Sequence, residues 1–167
     1  MTVFETIIAT LEKEGITYKT LHHPPTYTSE QSAEYRGEAL ATGAKAIVYK
    51  IEKAFYLFVM PADRKMDNKK IKAYFKAAGK KAKKTRFATA VELMELTGLV
   101  PGSVPPFGEP ILPFELFVDV ELLKNKKTAF NAGSLTDSVI MQRSDYLTVA
   151  NATLFDFTLG EAERLRG

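Results

Sequence analysis

The segment VPGSVPPFG, residues 100–108, restricts the fold more than any other stretch, because three of its nine residues are proline and two are glycine. Proline fixes φ and has no N–H, so this segment excludes a helix and an internal strand. It lies between an amphipathic run (ATAVELMELTG) and apolar, strand-like residues. Glycine lets a backbone approach a ligand closely, and N–H groups remain at Gly102, Ser103 and Val104. The loop is therefore either a rigid connector or a preformed wall of main-chain donors.

Hydrophobic periodicity predicts short helices and strands on both sides of this loop. Helices are predicted near 3–14, 29–36, 66–80, 89–97 and 143–150, and strands near 16–21, 44–51, 54–60, 115–120, 127–132, 136–142 and 153–157. On the strand 44–51, Lys45 shares a face with Ile47, Tyr49 and Ile51. The large side chains on that face predict that it packs toward the protein interior. The pattern favours an α/β or α+β fold with a mixed sheet and leaves barrel closure open.

The totals fit one domain, since a chain of 167 residues is close to the roughly 150 residues of a typical domain. Cysteine is absent, which excludes disulfides, thiolate nucleophiles and cysteine metal sites. The N-terminus carries acidic residues within a helical pattern and does not resemble a signal peptide. The apolar run FYLFVM (55–60) is too short to cross a bilayer. We expect a cytoplasmic protein without a membrane segment.

The charge is strongly polarised along the chain. Residues 64–86 contain eleven basic residues and one acidic residue, a net charge of +10, whereas the rest of the chain, with 12 basic and 19 acidic residues, carries −7. Lys69, Lys72, Lys76 and Lys80 follow helical spacing on one face. Such a stripe is typical of a surface that binds a polyanion, although a solvated helix face is the alternative.

Motifs with a side-chain nucleophile, a metal or a nucleotide loop are missing, so we expect no cofactor and no metal. The two histidines, His22 and His23, are adjacent, and neighbouring side chains on an extended chain point to opposite sides. Lys45 is a cation at the mouth of a predicted cleft, suited to a phosphate, or else a lysine that extends from a strand end into solvent.

Taken together, five segments in one order resemble the YbaK / prolyl-tRNA synthetase-associated domain family of aminoacyl-tRNA editing proteins. The segments are HHPPTYTSEQSAE (22–34), GAKAIVYK (43–50), LFVMPADRKMD (57–67), ELTGLVPGSVPPFG (95–108) and VDVELLKNKKTAFNAGS (118–134). The resemblance implies a single editing domain over residues 1–167, with a mixed, barrel-like central sheet surrounded by helices. It also implies a trans-acting enzyme that hydrolyses the ester of a mischarged tRNA, with a small amino acid on the tRNA for proline as the substrate.

The resemblance also assigns roles to residues. The family's lysine falls on Lys45, its Gly-x-x-x-Pro loop on Gly102 to Pro106, and its later Ala-Gly element on Asn131, Ala132 and Gly133. Asn131 departs from the histidine or serine of some members. The expected catalytic groups are Lys45, which would anchor the terminal phosphate, and the main chain of Gly102, Ser103 and Val104, which would hold the carbonyl and a water. The expected substrate-binding residues are Tyr27, Ile47, Val104, Pro106, Asn131, Ala132 and Gly133.

A basic helix over 67–84, with Lys69, Lys72, Lys76 and Lys80, is expected to attract the acceptor stem of tRNA. An aminoacyl-tRNA synthetase is a further expected partner. Two other functions stay open from the residues: a non-catalytic tRNA-binding or synthetase-associated module, and a protein that binds a free amino acid. A pure binder would not need both Lys45 and the Gly102 loop, and a free amino acid would not need a polycation.

Overall fold

The computed structural model describes residues 1–160, so the last seven residues of the predicted domain, 161–167, lie outside the described part. The elements, in chain order, are α1 Val3–Lys13, β1 Tyr18–His22, α2 Ser29–Arg36, β2 Ala44–Ile51, β3 Ala54–Pro61, α3 Asn68–Ala77, β4 Thr85–Phe87, α4 Ala90–Thr97, β5 Leu116–Asp119, β6 Lys127–Asn131, β7 Asp137–Gln142, α5 Arg143–Ala150 and β8 Thr153–Phe155. Short 3₁₀ helices cover Leu40–Thr42 and Val120–Lys124. None of the helices in residues 1–160 is long and apolar enough to cross a bilayer.

The strands form two sheets. One has the order β1-β7-β6 and is antiparallel, and the other has the order β4-β2-β3-β5-β8, with parallel pairs β3–β5 and β5–β8. A parallel bridge between Gly43 and Ala129 links the start of β2 to β6. The prediction of a mixed α/β fold is confirmed, and the bridge is the point at which the two sheets meet.

Local capping signals determine where the helices begin and end. The Thr28 hydroxyl accepts a hydrogen bond from the Gln31 N–H, and Gly37 ends α2 in the left-handed region with φ of 68°. Thr89 and Glu92 form a reciprocal capping box at the start of α4. Each cap satisfies main-chain groups that a helix end leaves unpaired. α2 and α4 therefore begin and end within about one residue of their predicted bounds.

Both faces of the five-stranded sheet are packed. Tyr49 and Ile51 on one face of β2 belong to an aromatic-rich cluster that α3 covers with Ile71 and Phe75. The prediction that this face of β2 looks inward is confirmed. The opposite face is packed as well, because Val48 belongs to the larger core between the sheets and the other helices.

The basic segment is less helical than predicted. α3 ends at Ala77, and Gly79 adopts φ of 78°, which a continuing helix does not allow. The prediction of a helix over 67–84 is therefore wrong beyond Ala77: residues 78–84 form turns and irregular backbone, and Thr85–Phe87 follows as β4, which pairs with β2. Lys80 lies beyond the helix, with its Nζ 6.0 Å from the centroid of the Tyr56 ring.

The Pro-rich loop is attached to the core by aromatic side chains. The Tyr146 hydroxyl donates to the Pro106 carbonyl at 2.6 Å, and Tyr146 is fully buried. The Phe107 ring packs edge-on against Phe130 and Tyr146, with centroids 5.4 Å apart in both pairs. Burial raises the pKa of Tyr146 far above its ordinary value, so the hydroxyl remains a donor at all physiological pH values.

Replacement of Tyr146 by Phe should lower the free energy of unfolding by about 1–3 kcal/mol, because the buried Pro106 carbonyl loses its donor while the ring remains. Urea unfolding followed by circular dichroism measures the change. Tyr35→Phe is the matched control: that side chain is half exposed and its hydroxyl makes no hydrogen bond within residues 1–160, so its loss should change stability by less than about 0.5 kcal/mol. Equal losses in the two variants would contradict the anchoring role of Tyr146.

Candidate active site

A cavity of about 260 Å³ lies where α2, the start of β2, the Pro-rich loop and the end of β6 meet. Six of the residues predicted from the sequence line it: Tyr27, Lys45, Ile47, Gly102, Val104 and Asn131. The other lining residues are Thr26, Thr28, Ser29, Ser32, Arg36, Gly43, Ala44, Ala46 and Ala62. The structure thus brings together segments that are up to a hundred residues apart in the chain.

Lys45 extends from the start of β2 into this cavity. Its Nζ donates to the Arg64 carbonyl at 2.7 Å, and none of the salt bridges within residues 1–160 includes it. Burial lowers the pKa of Lys45, and the nearby Lys65 lowers it further, while Asp63 and Glu30 act in the opposite direction. An ammonium has three N–H donors, so two remain for an anionic ligand.

The turn at Gly102 presents main-chain donors to the same cavity. Gly102 has φ of 88°, a conformation that side chains with a Cβ rarely adopt. Within residues 1–160, the N–H groups of Gly102 and Val104 make no hydrogen bond. Both residues line the cavity, so these amides are available to a bound carbonyl or water.

Ser103 has a different position from the one expected. Its N–H donates to the Val100 carbonyl at 3.1 Å, its Oγ donates to the same oxygen at 2.7 Å, and the residue is buried. Its carbonyl accepts from the Gly133 N–H at 3.0 Å. In a trans peptide the C=O and the following N–H point in opposite directions, so this bond also determines where the Val104 N–H points. Ser103 stabilises the turn and has no free donor for a substrate.

Pro106, Ala132 and Gly133, which were expected to bind the substrate, do not line this cavity. Pro106 and Ala132 are buried, and the Ala132 N–H donates to the Asp137 carbonyl at 2.9 Å. A Cβ on Gly133 would lie 3.0 Å from the side chain of Val3, which would have to shift, and the φ of 85° also disfavours a side chain there. These residues support the turn from behind, because Gly133 holds the Ser103 carbonyl.

Asn131 connects the turn to α2. Its Nδ2 donates to the Gly102 carbonyl at 2.7 Å, and its Oδ1 accepts from Arg36 Nη2 at 2.9 Å. The position that departs from some relatives in the sequence thus carries an amide whose two ends are both hydrogen-bonded.

Arg36, which the sequence analysis did not identify, is the second cation of the cavity. Burial lowers the pKa of its guanidinium to about 10, and no salt bridge within residues 1–160 includes it. Its Nε donates to Ser138 Oγ at 2.9 Å. One signal was present in the sequence: Arg36 stands four residues after Ser32, so the two share a face of α2, and Ser32 is the buried residue of that helix.

The two histidines lie on opposite sides of their strand, as predicted. His22 is exposed, and its Nδ1 lies 2.9 Å from Asp137 Oδ1. His23 is buried, with Nδ1 2.9 Å from the Pro24 carbonyl and Nε2 2.8 Å from Ser138 Oγ. Neither lines the cavity.

The predicted tRNA-binding lysines lie outside this cavity. Lys69, Lys76 and Lys80 are exposed and Lys72 is partly buried. Lys72 also lines a shallow basic groove together with Lys50, Lys83, Lys84 and Arg86. The positive charge of residues 64–86 is therefore displayed on α3 and along the neighbouring strand β4, rather than on one continuous helix.

Comparison with known proteins agrees with this geometry. Residues 23–149 match the family model of the aminoacyl-tRNA editing domain. The multifunctional Ser/Thr-tRNA deacylase ProXp-y of Escherichia coli (strain K12) is 34% identical over 164 residues, which cover 90% of this chain and 90% of that protein. The crystal structure of the hypothetical protein APE2540 superimposes with a TM-score of 0.78 at 26% identity, covering 92% of this chain and 99% of that one. A candidate trans-editing enzyme for prolyl tRNA synthetase has a TM-score of 0.78 at 25% identity, covering 96% and 99%.

These relatives confirm the predicted family, fold and enzyme class, an aminoacyl-tRNA deacylase. The match spans both the Lys45 segment and the Gly102 turn, which are the two sides of the cavity. The chain belongs to the aminoacyl-tRNA editing domain family.

Proposed function

We propose that this chain hydrolyses the ester of a mischarged tRNA in the cavity between Lys45 and the Gly102 turn. One observation carries the proposal: a half-buried ammonium and two main-chain N–H groups without a partner in residues 1–160 line the same cavity. Donors that are fixed before the substrate binds stabilise a developing oxyanion at about 2.7–4 kcal/mol each. An aminoacyl ester is already reactive, so positioned donors and a positioned water are sufficient for its hydrolysis.

In the proposed reaction, water attacks the ester carbonyl carbon and the carbonyl electrons move to the oxygen. The N–H groups of Gly102 and Val104 hold that oxygen. The intermediate then breaks its bond to the ribose oxygen, which takes up the proton that the attacking water loses. The neighbouring ribose hydroxyl can relay this proton, so the reaction needs no side-chain base. The products are a free amino acid and a tRNA with a free terminal hydroxyl.

Lys45 is proposed to bind the phosphate of the 3′-terminal nucleotide. Its ammonium uses one N–H on the Arg64 carbonyl and can direct the others to phosphate oxygens. Burial lowers the pKa of Lys45 even though Asp63 and Glu30 act in the opposite direction, and an anionic substrate would compensate the buried charge.

Serine and threonine are the proposed amino acids. The cavity is small, and it contains the hydroxyl groups of Thr26 and Ser32 and the amide of Asn131, which can hydrogen-bond a substrate hydroxyl. The relative from Escherichia coli is named a Ser/Thr-tRNA deacylase. We infer that the protein acts in the cytoplasm. The tRNA for proline is the first tRNA to test as substrate, since a structural neighbour is described as a trans-editing enzyme for prolyl tRNA synthetase. A synthetase that releases the mischarged tRNA is the corresponding partner.

The basic surface is proposed to bind the tRNA backbone. Lys69, Lys72 and Lys76 lie on α3, and the groove beside it adds Lys83, Lys84 and Arg86. Contacts between lysine and phosphate release counterions, so they increase affinity in a salt-dependent way and carry little sequence information. Lys80, beyond the helix, contributes charge but not the predicted helical register.

Replacement of Lys45 by Ala should lower kcat/KM for deacylation of Ser-tRNA by roughly 100-fold, because a charged hydrogen bond to the substrate is lost. Release of labelled amino acid from a panel of mischarged tRNAs measures the effect. Lys53→Ala, in the exposed turn between β2 and β3, is the control and should keep full activity. Full activity in Lys45→Ala would contradict the role of Lys45, and tRNA binding without release by the unmodified protein would favour a non-catalytic binding module.

Replacement of Gly102 by Ala should lower kcat more than it changes KM, because a Cβ disfavours φ of 88° and moves the two free amides. The expected stability loss is about 1–2 kcal/mol. Gly15→Ala is a matched control, since Gly15 has φ of 67° with open space around a Cβ and lies away from the cavity. Gly15→Ala should lose a similar amount of stability and keep its kcat. If kcat falls equally in both variants, the loss in Gly102→Ala results from reduced stability and not from displaced amides.

Charge reversal of Lys69, Lys72 and Lys76 to Glu should raise KM for the mischarged tRNA at least tenfold with a smaller effect on kcat, and should flatten the dependence of KM on salt. Reversal of Lys13, Lys19 and Lys126, which are exposed elsewhere, gives the same net charge and serves as the control. Equal KM values in the two triple variants would show that α3 is not the tRNA-binding surface.

A further inference from the structure

Arg36 makes two hydrogen bonds in the protein and no ion pair within residues 1–160. It is the last residue of α2, and its partners Asn131 and Ser138 lie on β6 and β7. A partly buried guanidinium that has no carboxylate partner in residues 1–160 costs free energy, which indicates a role beyond stability. The question is which group in the cavity depends on it.

The amide of Asn131 depends on Arg36 for its orientation. Arginine only donates hydrogen bonds, so the Asn131 group that faces Nη2 at 2.9 Å is the oxygen. The Nδ2 of Asn131 is then directed to the Gly102 carbonyl, to which it donates at 2.7 Å. A flipped amide would place NH₂ against the guanidinium and oxygen against the carbonyl, and would lose both bonds.

The guanidinium itself is fixed from its other side. The Pro24 carbonyl can only accept, so His23 Nδ1, at 2.9 Å, carries a proton and donates to it. Ser138 Oγ lies 2.8 Å from His23 Nε2, accepts from Arg36 Nε at 2.9 Å and donates to Asn131 Oδ1 at 3.3 Å. His23, Ser138 and Arg36 are therefore connected by hydrogen bonds, and Ser138 holds the guanidinium on the side away from Asn131 Nδ2.

The peptide that Asn131 holds lies between the two peptides that supply the free amides. The Gly102 carbonyl belongs to the Gly102–Ser103 peptide, the Gly102 N–H to the preceding peptide and the Val104 N–H to the following one. Planar peptides leave only φ and ψ free, so fixing the central plane restricts both neighbours. Loss of the Asn131 contact would remove the bond at one edge of the central plane and leave the bond at the other edge, from the Ser103 N–H to the Val100 carbonyl, while Gly133 would still hold the Ser103 carbonyl.

We propose that Arg36 is a positioning residue for ester hydrolysis: it orients the amide of Asn131, which holds the Gly102 carbonyl and thereby aims the amides of Gly102 and Val104 at the oxyanion. This inference rests on the proposed function. The alternative is a direct contact between Arg36 and the substrate through Nη1 of Arg36, which makes no hydrogen bond within residues 1–160.

The decisive variant is Asn131→Asp. A carboxylate has the same shape and can pair with Arg36, but it cannot donate to the Gly102 carbonyl. The variant should unfold at a urea concentration no lower than the unmodified protein, and its kcat for Ser-tRNA should fall about 10- to 100-fold with KM changed less than twofold. A purely structural role of the Arg36–Asn131 pair predicts unchanged kcat, so unchanged kcat would overturn the proposal.

Arg36→Gln, Asn131→Ala and the double variant test whether both residues act on one step. If Arg36 works through Asn131, the double variant should lose no more kcat than the more affected single variant. Losses that multiply, or a loss with Arg36→Gln that differs tenfold between Ser-tRNA and Ala-tRNA, would show that Arg36 contacts the substrate instead. Arg36→Lys should recover part of kcat, since lysine still donates to Asn131 Oδ1.

A measurement without substrate separates this inference from the proposed function. In ¹⁵N-labelled protein, Arg36→Gln and Asn131→Asp should shift the amide signals of Gly102, Ser103 and Val104 and speed hydrogen exchange at Ser103, whose N–H bonds the Val100 carbonyl. Unchanged signals would overturn the positioning role. Inactivity of the unmodified protein on every mischarged tRNA, with these shifts present, would instead refute the proposed function alone.

Discussion

Two hydrogen bonds to carbonyl oxygens determine which way the Gly102 turn faces. The Gly133 N–H holds the Ser103 carbonyl at 3.0 Å, and Asn131 Nδ2 holds the Gly102 carbonyl at 2.7 Å. A peptide is planar, and its C=O and N–H point in opposite directions. A carbonyl that is held by the protein therefore also fixes the direction of the N–H in the same peptide. The turn therefore has its conformation before a substrate binds, which is the condition under which main-chain donors are effective in catalysis.

The distribution of charge separates two tasks. Lys45 and Arg36 lie in the cavity, and burial lowers the pKa of both. The lysines of α3 and the groove beside it are solvated, where salt screens their interactions over about 8–10 Å. In the proposed function, charge in the cavity acts on one phosphate or one polar group, whereas charge on the surface would act on the tRNA as a polyanion. Binding of the tRNA body and recognition of its terminal ester can thus be changed independently.

Much of the fold was predictable because its signals are local. The caps at Thr28, Asp67 and Thr89 each precede a helix, and Glu52 and Lys53 join two strands of matching length. The end of α3 was not predicted, since a dense lysine run continues past Ala77 and hides the stop at Gly79. The short strand β4 was missed for a related reason: Thr85–Phe87 has three residues and is defined by pairing with β2, not by its own pattern.

Part of the site could be predicted from the sequence. The part that was missed depends on contacts between residues far apart in the chain. Spacing and resemblance placed Lys45, Gly102, Val104 and Asn131 together, and the cavity contains all four.

Sequence could not tell whether Pro106, Ala132 and Gly133 face the substrate or support the turn from behind. Pro106 accepts through its carbonyl, and Ala132 and Gly133 donate through their N–H groups, so the side chains do not reveal these contacts. Arg36 was missed because its partners are 95 and 102 residues away. A polar helix of eight residues reads as a solvated surface unless a distant acceptor for its arginine is known.

The polar lining of the cavity also bears on selectivity. Ser32 donates to Thr26 Oγ1 at 2.8 Å, and both residues are buried, so the Thr26 hydroxyl hydrogen is left for another acceptor. A substrate hydroxyl can accept it, whereas the methyl group of alanine would leave it unpaired in a buried place. An unpaired buried hydroxyl costs about 1–3 kcal/mol, which corresponds to roughly 5- to 150-fold discrimination. Selection of serine and threonine over alanine would then arise from the cost of an unsatisfied protein group, in addition to the size of the cavity.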